Sequence, residues 1–358
     1  MSLRHFQRLQ QTNGAVFSSL KPIYPVAAHF GSPENEYQSA HQAAALFDLC
    51  HRDQFELRGK DRAKFLHNFC TNEIKNLQPD QGCEAFLTNV QSRILGHIFV
   101  FNHEDSLWID TAPGASEAII KHLDRYIILE DAFFKMRTPE FGNLYLTGPK
   151  STEILKQAGI EVESLAVNRQ LRVKGTDSQL TVRRVDWLHQ PGYLCCLQYV
   201  KIADFWTRLR EIGAIPAGQD TFDALRIETL FPLYGVDLSE ENLAQEANRT
   251  EQAISFKKGC YLGQEPIARI DSLGHVNREL RAIGLERAWV PPAGTKIMSG
   301  EPENLQEVGT VTSSARSYGK YPAVAMAMIR RSSNAPGTTV QIVSDDQSAS
   351  GTVFTSLN

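Results

Sequence analysis

The sequence predicts an α+β protein in three parts: two mixed helix-and-strand units, residues 1–135 and 136–277, then a β-rich third part, residues 278–358. Three observations predict it. Strand-like and helix-like apolar periods interleave from about residue 30, and a similar cycle restarts around residue 135. From Arg278 onward, short alternating stretches are separated by Pro- and Gly-containing joints. The length of 358 residues, with 42% apolar and 22% charged, suffices for two or three cored domains.

The elements follow in order. SAHQAAALFDLC, residues 39–50, is Ala-rich and helix-prone. In HRDQFELRG, Phe55 and Leu57 alternate with polar residues, as in a half-buried strand. Asp61 stands where it can cap a helix through RAKFLHNFC. EAFLTNVQSRILGHIFVFNHEDSLWIDTA reads as successive strands with a hairpin turn at NHED. SEAIIKHLDRYII is an amphipathic helix. In the second cycle, GNLYLTGPK is a strand into a turn, and STEILKQAG is a helix with Ser151 as N-cap and Gly159 as stop. QLTVRRVD and GYLCCLQYV are strands, and KIADFWTRLREIG is a helix. The tail carries five or six short strands in about 80 residues, which is a small barrel or sandwich.

Composition excludes several classes of function. Lys plus Arg is 37 and Asp plus Glu is 41, a net charge of −4, which argues against broad electrostatic binding to nucleic acid. A local basic pocket for a small anionic ligand stays open. No window of 18 consecutive apolar residues is present, so no membrane partner is expected. The six cysteines form no C-x-x-C pair, which speaks against a zinc knuckle and, with a start lacking an apolar signal region, for the cytosol. The motifs G-x-G-x-x-G, G-x-x-x-x-G-K-[ST], H-E-x-x-H and G-x-S-x-G are absent. His97 and His103 read as a strand-face and a turn residue rather than metal ligands, and no metal site is expected. Cys195 and Cys196 should point to opposite faces of one strand.

The densest stretch is FKKGCYLGQEPIAR, residues 256–269. From Tyr261 its pattern fits a helix with Gln264, Glu265 and Pro266 in the first turn. Cys260 would then sit at or just before the helix N-terminus, where unpaired N–H groups, the helix dipole and Lys257 and Lys258 favour a thiolate. The competing reading is a small packed thiol behind a tight glycine turn.

This stretch resembles the signature of the YgfZ family, tetrahydrofolate-binding relatives of the glycine-cleavage T-protein, an aminomethyltransferase. The K-G-C-Y-x-G-Q-E core is matched by Lys258, Gly259, Cys260, Tyr261, Gly263, Gln264 and Glu265. FDLCHRDQFELRGKDRAKFLHNFCTNEIKNL, LYLTGPKSTEIL and VGTVTSSARS resemble further blocks of that family. RIETLFPLYGVD resembles its R-x-E-x-G-x-P-x-x-G-x-D segment, with Leu230 where glycine is usual. The resemblance implies a ring-like arrangement with a small C-terminal β-barrel, a reduced folate in a central channel, and folate contacts from Arg226, Gln190 and Asn89.

The chain departs from the transferase in two places. Where the transferase has G-G-x-x-D-D, this chain has Ser92 to His97, so Gly96 and His97 replace both carboxylates. Gln190 stands where the transferase has a glutamate, and an amide accepts a hydrogen bond without supplying charge. The resemblance therefore implies a folate-binding accessory protein that supports iron–sulfur cluster assembly or repair in client proteins through Cys260. The alternative is a folate-dependent aminomethyltransferase or demethylase. A third reading keeps the fold without the folate.

Overall fold

The computed structural model of the chain describes residues 3–18, 24–173, 179–301 and 303–357. Helix α1 (Leu3–Thr12) leads into a two-stranded ribbon, β1 (Val16–Phe17) and β2 (Ala27–His29). Helix α2 (Pro33–Gln42) starts six residues earlier than its alanines suggested. The Ser32 hydroxyl accepts from the Asn35 N–H at 3.3 Å, and Pro33 takes the first turn. The alanine run does not extend the helix. Ala45–Asp48 becomes a wholly buried strand, β3, since burial in a sheet interior overrides local propensity.

The first sheet comprises β4 (Asp53–Arg58), β5 (Gly82–Thr88), β6 (Ile94–Asn102), β7 (Ser106–Thr111) and β8 (Phe133–Met136), in the antiparallel order β5-β6-β7-β4-β8. Helices α3 (Arg62–His67) and α4 (Ser116–Asp124) join it. Alternation separates its two faces. Ile98 and Val100 pack into a core with Ile119 and Leu123 of α4, while His97, Phe99 and Phe101 face the other way.

The second sheet uses β9 (Phe141–Thr147), β10 (Gln170–Arg172), β11 (Thr181–Arg184), β12 (Gly192–Gln198) and β13 (Ile215–Ala217), with β3 inserted between β9 and β13. Its order is β10-β11-β12-β9-β3-β13, and β13 runs parallel to β3. The first fifty residues thus join the second sheet, and Phe6, Ala44, Leu46 and Cys50 share its core. Helices α5 (Ser151–Gln157) and α6 (Tyr199–Glu211) cover that side. Lys150, not Ser151, is the N-cap of α5, and the Ser151 hydroxyl donates to the Gly148 carbonyl at 2.7 Å. Cys195 lies in this core and Cys196 on the opposite face, as alternation requires.

The free faces of the two sheets meet. Trp108 packs edge-on to Phe141 at 5.1 Å, Phe99 lies 4.9 Å from Trp187, and Asn143 donates to Asp110 at 2.8 Å. Helices α7 (Gln219–Glu228), α8 (Thr250–Ala253) and α9 (Gln264–Leu273) follow. Six strands then close a barrel: β14 (Arg278–Leu285), β15 (Lys296–Ser299), β16 (Gln306–Arg316), β17 (Ala323–Arg330), β18 (Thr339–Val343) and β19 (Ser348–Phe354). Closure of β19 on β14 removes the edges and decides barrel over sandwich. The barrel seats on α7 and the segment after it: Thr312 and Ser313 donate to Asp237, and Ser317 to Glu228. No helix among the described residues is long and apolar enough to cross a membrane.

Candidate functional site

The segment around Cys260 is held on the first unit by nearly every residue except the cysteine. Lys258 is 8% exposed, and its ammonium donates to the carbonyls of His67, Cys70 and Asn72 at 2.6, 2.6 and 2.9 Å. The same nitrogen lies 4.6 Å above the centre of the buried Tyr261 ring. The Leu262 N–H donates to Asn68, and its carbonyl accepts from Thr88 at 2.8 Å. Gly263 sits at φ 85°, and a β-carbon there would meet the Asn89 carbonyl at 2.4 Å, so only glycine fits. Its carbonyl accepts from the buried Ser92 hydroxyl at 2.7 Å. Between these clamps Gly259 and Cys260 are exposed. Cys260 is the one exposed thiol of the six; Cys50, Cys70, Cys195 and Cys196 are buried and Cys83 is half-buried. A packed thiol is therefore excluded.

The expected placement of that thiol at the helix start is corrected. Helix α9 begins at Gln264 with Gly263 as its N-cap, so Cys260 lies three residues short of the cap. Helix-end effects fall off within the first turn. Lys258 turns its charge into the carbonyl cradle, which leaves exposed Lys257 as the lysine free to act near the thiol. Gln264 and Glu265 do occupy the first turn of α9, with Pro266 third.

A second cluster lies where the first sheet faces the second. His97 and Gly96 alternate on β6. Gly96 points toward α4, where a β-carbon would meet Ile119 Cδ1 at 2.7 Å, so a carboxylate there has no room and no path to the interior. His97 points inward, 4% exposed, with its ring 5.0 Å from both Phe86 and Phe99. Its Nε2 bonds Glu84 Oε1 at 2.8 Å. Arg249 grips the same carboxylate through two bonds of 2.8 and 2.5 Å. Burial alone would raise Glu84, but Arg249 and His97 outweigh it and hold the carboxyl at about 2. Burial pushes His97 below its ordinary value, partly offset by Glu84. The result is an ionised glutamate orienting a neutral imidazole.

The three residues implied to contact folate lie in different settings. Arg226 on α7 is 2% exposed and bonds Asp223 Oδ1 at 2.5 Å and Asp237 Oδ2 at 2.7 Å. Asn89 uses its side-chain oxygen to accept the N–H groups of Gln91 and Arg93, closing the turn before β6. Gln190 is half-buried in the turn after β11. In that same turn Trp187 stacks on Phe231 at 4.9 Å and 17°, with its indole nitrogen buried and making no hydrogen bond among the described residues.

Comparison with known proteins fixes the frame. The GCVT N-terminal domain matches residues 6–258, and the glycine cleavage T-protein C-terminal barrel domain matches residues 278–357. The chain belongs to the glycine cleavage T-protein family. It is similar to a chloroplastic transferase of Arabidopsis thaliana, 25% identical over 322 residues covering 89% of this chain and 73% of that protein. It is 23% identical over 347 residues to an aminomethyltransferase of Thermoanaerobacter sp. (strain X514), covering 94% of this chain and 92% of that one. The crystal structure of aminomethyltransferase T of the glycine cleavage system from Bartonella henselae superposes with a TM-score of 0.85 at 18% identity, over 97% of this chain and 94% of that one, which bears out the predicted architecture.

Residues 259–277, with Cys260 and α9, lie between the two matched T-protein domains. The sequence flagged that segment but missed Glu84 and Arg249, which the fold brings together from positions 165 apart. A buried glutamate on an alternating strand was the available signal. A folate heterocycle is compatible in kind with this interior. The Trp187 indole N–H is a donor with no hydrogen bond among the described residues and Gln190 is an acceptor three residues on, while the Trp187 and Phe231 rings lie against each other with Arg52 over Trp187 at 4.9 Å.

Proposed function

We propose that the protein is a folate-binding accessory protein of the YgfZ type, which supports iron–sulfur cluster assembly or repair in client proteins through Cys260. One observation carries the reading: the loop is clamped by Lys258, Tyr261, Leu262 and Gly263, and the residue left to solvent is a thiol. Such positioning has no packing purpose, because Cys260 is exposed. A single thiolate does not hold a cluster, since clusters take four protein ligands as a rule. A client or a small thiol must complete the shell, and the cluster is cargo rather than a resident group.

The folate reading rests on the resemblance and on Trp187, Phe231 and Gln190. In it, Arg226 braces α7 against the segment bearing Asp237 and acts on the ligand only through that brace, and Asn89 shapes the turn that meets Gly263. A second reading, folate-dependent aminomethyl transfer, is favoured by the named aminomethyltransferase relatives and by His97, which Glu84 and Arg249 orient toward the interior. An imidazole so oriented can accept a proton at Nδ1.

One measurement tests the folate site that both readings share, and a second decides between them. Titration with tetrahydrofolate should show binding that Gln190→Ala weakens. In cells lacking the protein, wild type should restore iron–sulfur enzyme activity and Cys260→Ser should not. Full rescue by Cys260→Ser together with methylene transfer from an aminomethyl-lipoyl carrier would replace the accessory reading with the transferase reading.

A further inference from the structure

Between the two sheets lies a guanidinium answered only by a neutral thiol, Cys196, and by a carboxylate, Asp110, that is engaged elsewhere. Arg183 on β11 is 0% exposed, and its Nε, Nη1 and Nη2 make no hydrogen bond among the described residues. Its guanidinium carbon is 4.9 Å from the centre of the Phe101 ring and 5.2 Å from that of Trp108. The nearby carboxylate, Asp110, is already taken by Arg52, at 2.7 and 2.5 Å, and by Asn143. The thiol of Cys196 donates to Gln54 Oε1 at 3.0 Å. Burial, against the pull of Arg183, keeps that thiol up at about 11, so it is neutral and only a weak acceptor.

His103 Nε2 and Gln170 Oε1 are also buried without a partner. Burial and then Arg183 push His103 down to about 3, so it is neutral. Those two are a donor and an acceptor that can satisfy each other by small rotations. Arg183 has five donors and does not lose its proton, and what stands beside it is the neutral thiol of Cys196 and the carboxylate of Asp110, which is bonded elsewhere. A buried charge without a counter-charge is strongly unfavourable.

We propose that Arg183 is an anion site between the sheets and that it takes a small carboxylate. Phe101 and Trp108 lie against the guanidinium, whose edge carries the N–H groups that are without a hydrogen bond. That edge is a planar fork, which two carboxylate oxygens match and a spherical halide does not. The site uses neither Cys260 nor the residues assigned to folate, so it stands independently of the proposed function. Because the group is sealed, loading requires the β6–β7 turn or the β10 edge to move, and binding is slow.

The test uses the full chain in low-salt buffer, with sodium formate and sodium chloride added separately at matched ionic strength. Thermal unfolding and tryptophan fluorescence are read. Formate should raise the midpoint saturably, by about 2 °C at ten times its half-saturating concentration, and chloride should not. Arg183→Met should abolish the response and unfold no lower than wild type in formate-free buffer. Arg183→Lys, which keeps charge without the fork, should shift half-saturation at least tenfold, and it serves if the methionine variant fails to fold. Equal responses to formate and chloride, or an undiminished formate response in either variant, would overturn the proposal.

Discussion

Arg226 and Arg183 are both withdrawn from water, at 2% and 0% exposure, and they are accommodated in opposite ways. Arg226 is met by two aspartates, one of them wholly buried and itself hydrogen-bonded to barrel hydroxyls. Arg183 is met by two aromatic rings and a thiol, and the carboxylate near it, Asp110, is bonded to Arg52 and Asn143. The difference teaches that a matching position in a family motif and chemical availability are separate properties. The arginine that the resemblance singled out is paired with two aspartates, one of which joins α7 to the barrel, and the arginine that nothing singled out makes no hydrogen bond through its three nitrogens among the described residues.

The largest expected effect breaks or confirms that contrast directly. Arg226→Met removes one partner of a buried pair and leaves Asp237 uncompensated, and it should cost about 3–5 kcal/mol in denaturant unfolding. Arg183→Met removes a charge that makes no hydrogen bond among the described residues and should be neutral or stabilising in the absence of added carboxylate. Equal losses in the two variants would mean that Arg183 has a partner in solution. Next in size is Lys258→Met. It leaves three carbonyls without their shared donor and should cost about 2–3 kcal/mol. It should also loosen the loop, seen as faster amide exchange at Gly259 and Cys260.

How much of this was legible in sequence follows from range. The strands of the tail were readable because strand periodicity and Pro–Gly joints are local, while barrel rather than sandwich rests on the distant pairing of β19 with β14. The membership of β3 in the second sheet was not, because it is decided by pairing with β9 about a hundred residues away. The Cys260 motif was readable as a motif. The direction of Lys258 was not, since its three acceptors lie 186 to 191 residues upstream. For the same reason the thiol's surroundings were not legible: local spacing placed a helix end and two lysines beside it, and tertiary contacts claimed one lysine while the helix begins at Gln264. The inward pointing of His97 follows from strand alternation, yet the sequence did not show Glu84 and Arg249 waiting for it.

That cluster gives a smaller, pH-dependent effect. His97 is held neutral, below its free value, so the unfolded chain binds more protons once pH falls under about 6.5. Stability contributed by the neutral imidazole is therefore present above that pH and lost as pH falls toward the folded value, by up to about 1.4 kcal/mol per unit. Glu84, held at about 2, adds a second loss that begins as pH falls through the ordinary carboxylate value of about 4.3, where the unfolded glutamate takes up its proton, and is complete below about 2. His97→Gln, which can still donate to Glu84, should flatten the first slope and spare the second. An unchanged slope between pH 7 and 5 would assign it to other buried histidines such as His103.

The smallest expected stability effect belongs to the residue with the largest expected functional one. Cys260 is exposed and none of the clamps on its loop passes through its side chain. Cys260→Ser should therefore shift unfolding by no more than about 0.5 kcal/mol, as for other surface substitutions. Alkylation of the native protein with a small electrophile, mapped by peptide mass, should label Cys260 well ahead of Cys50, Cys70, Cys195 and Cys196, because reaction with those requires opening of a core. Cys83, half-buried, is the informative competitor. If Cys83 reacts first, exposure does not govern access, and the clamped loop shields its thiol in solution. If Cys260 reacts first and Lys258→Met then slows its productive use while leaving labelling fast, the clamp serves to aim the thiol rather than to expose it.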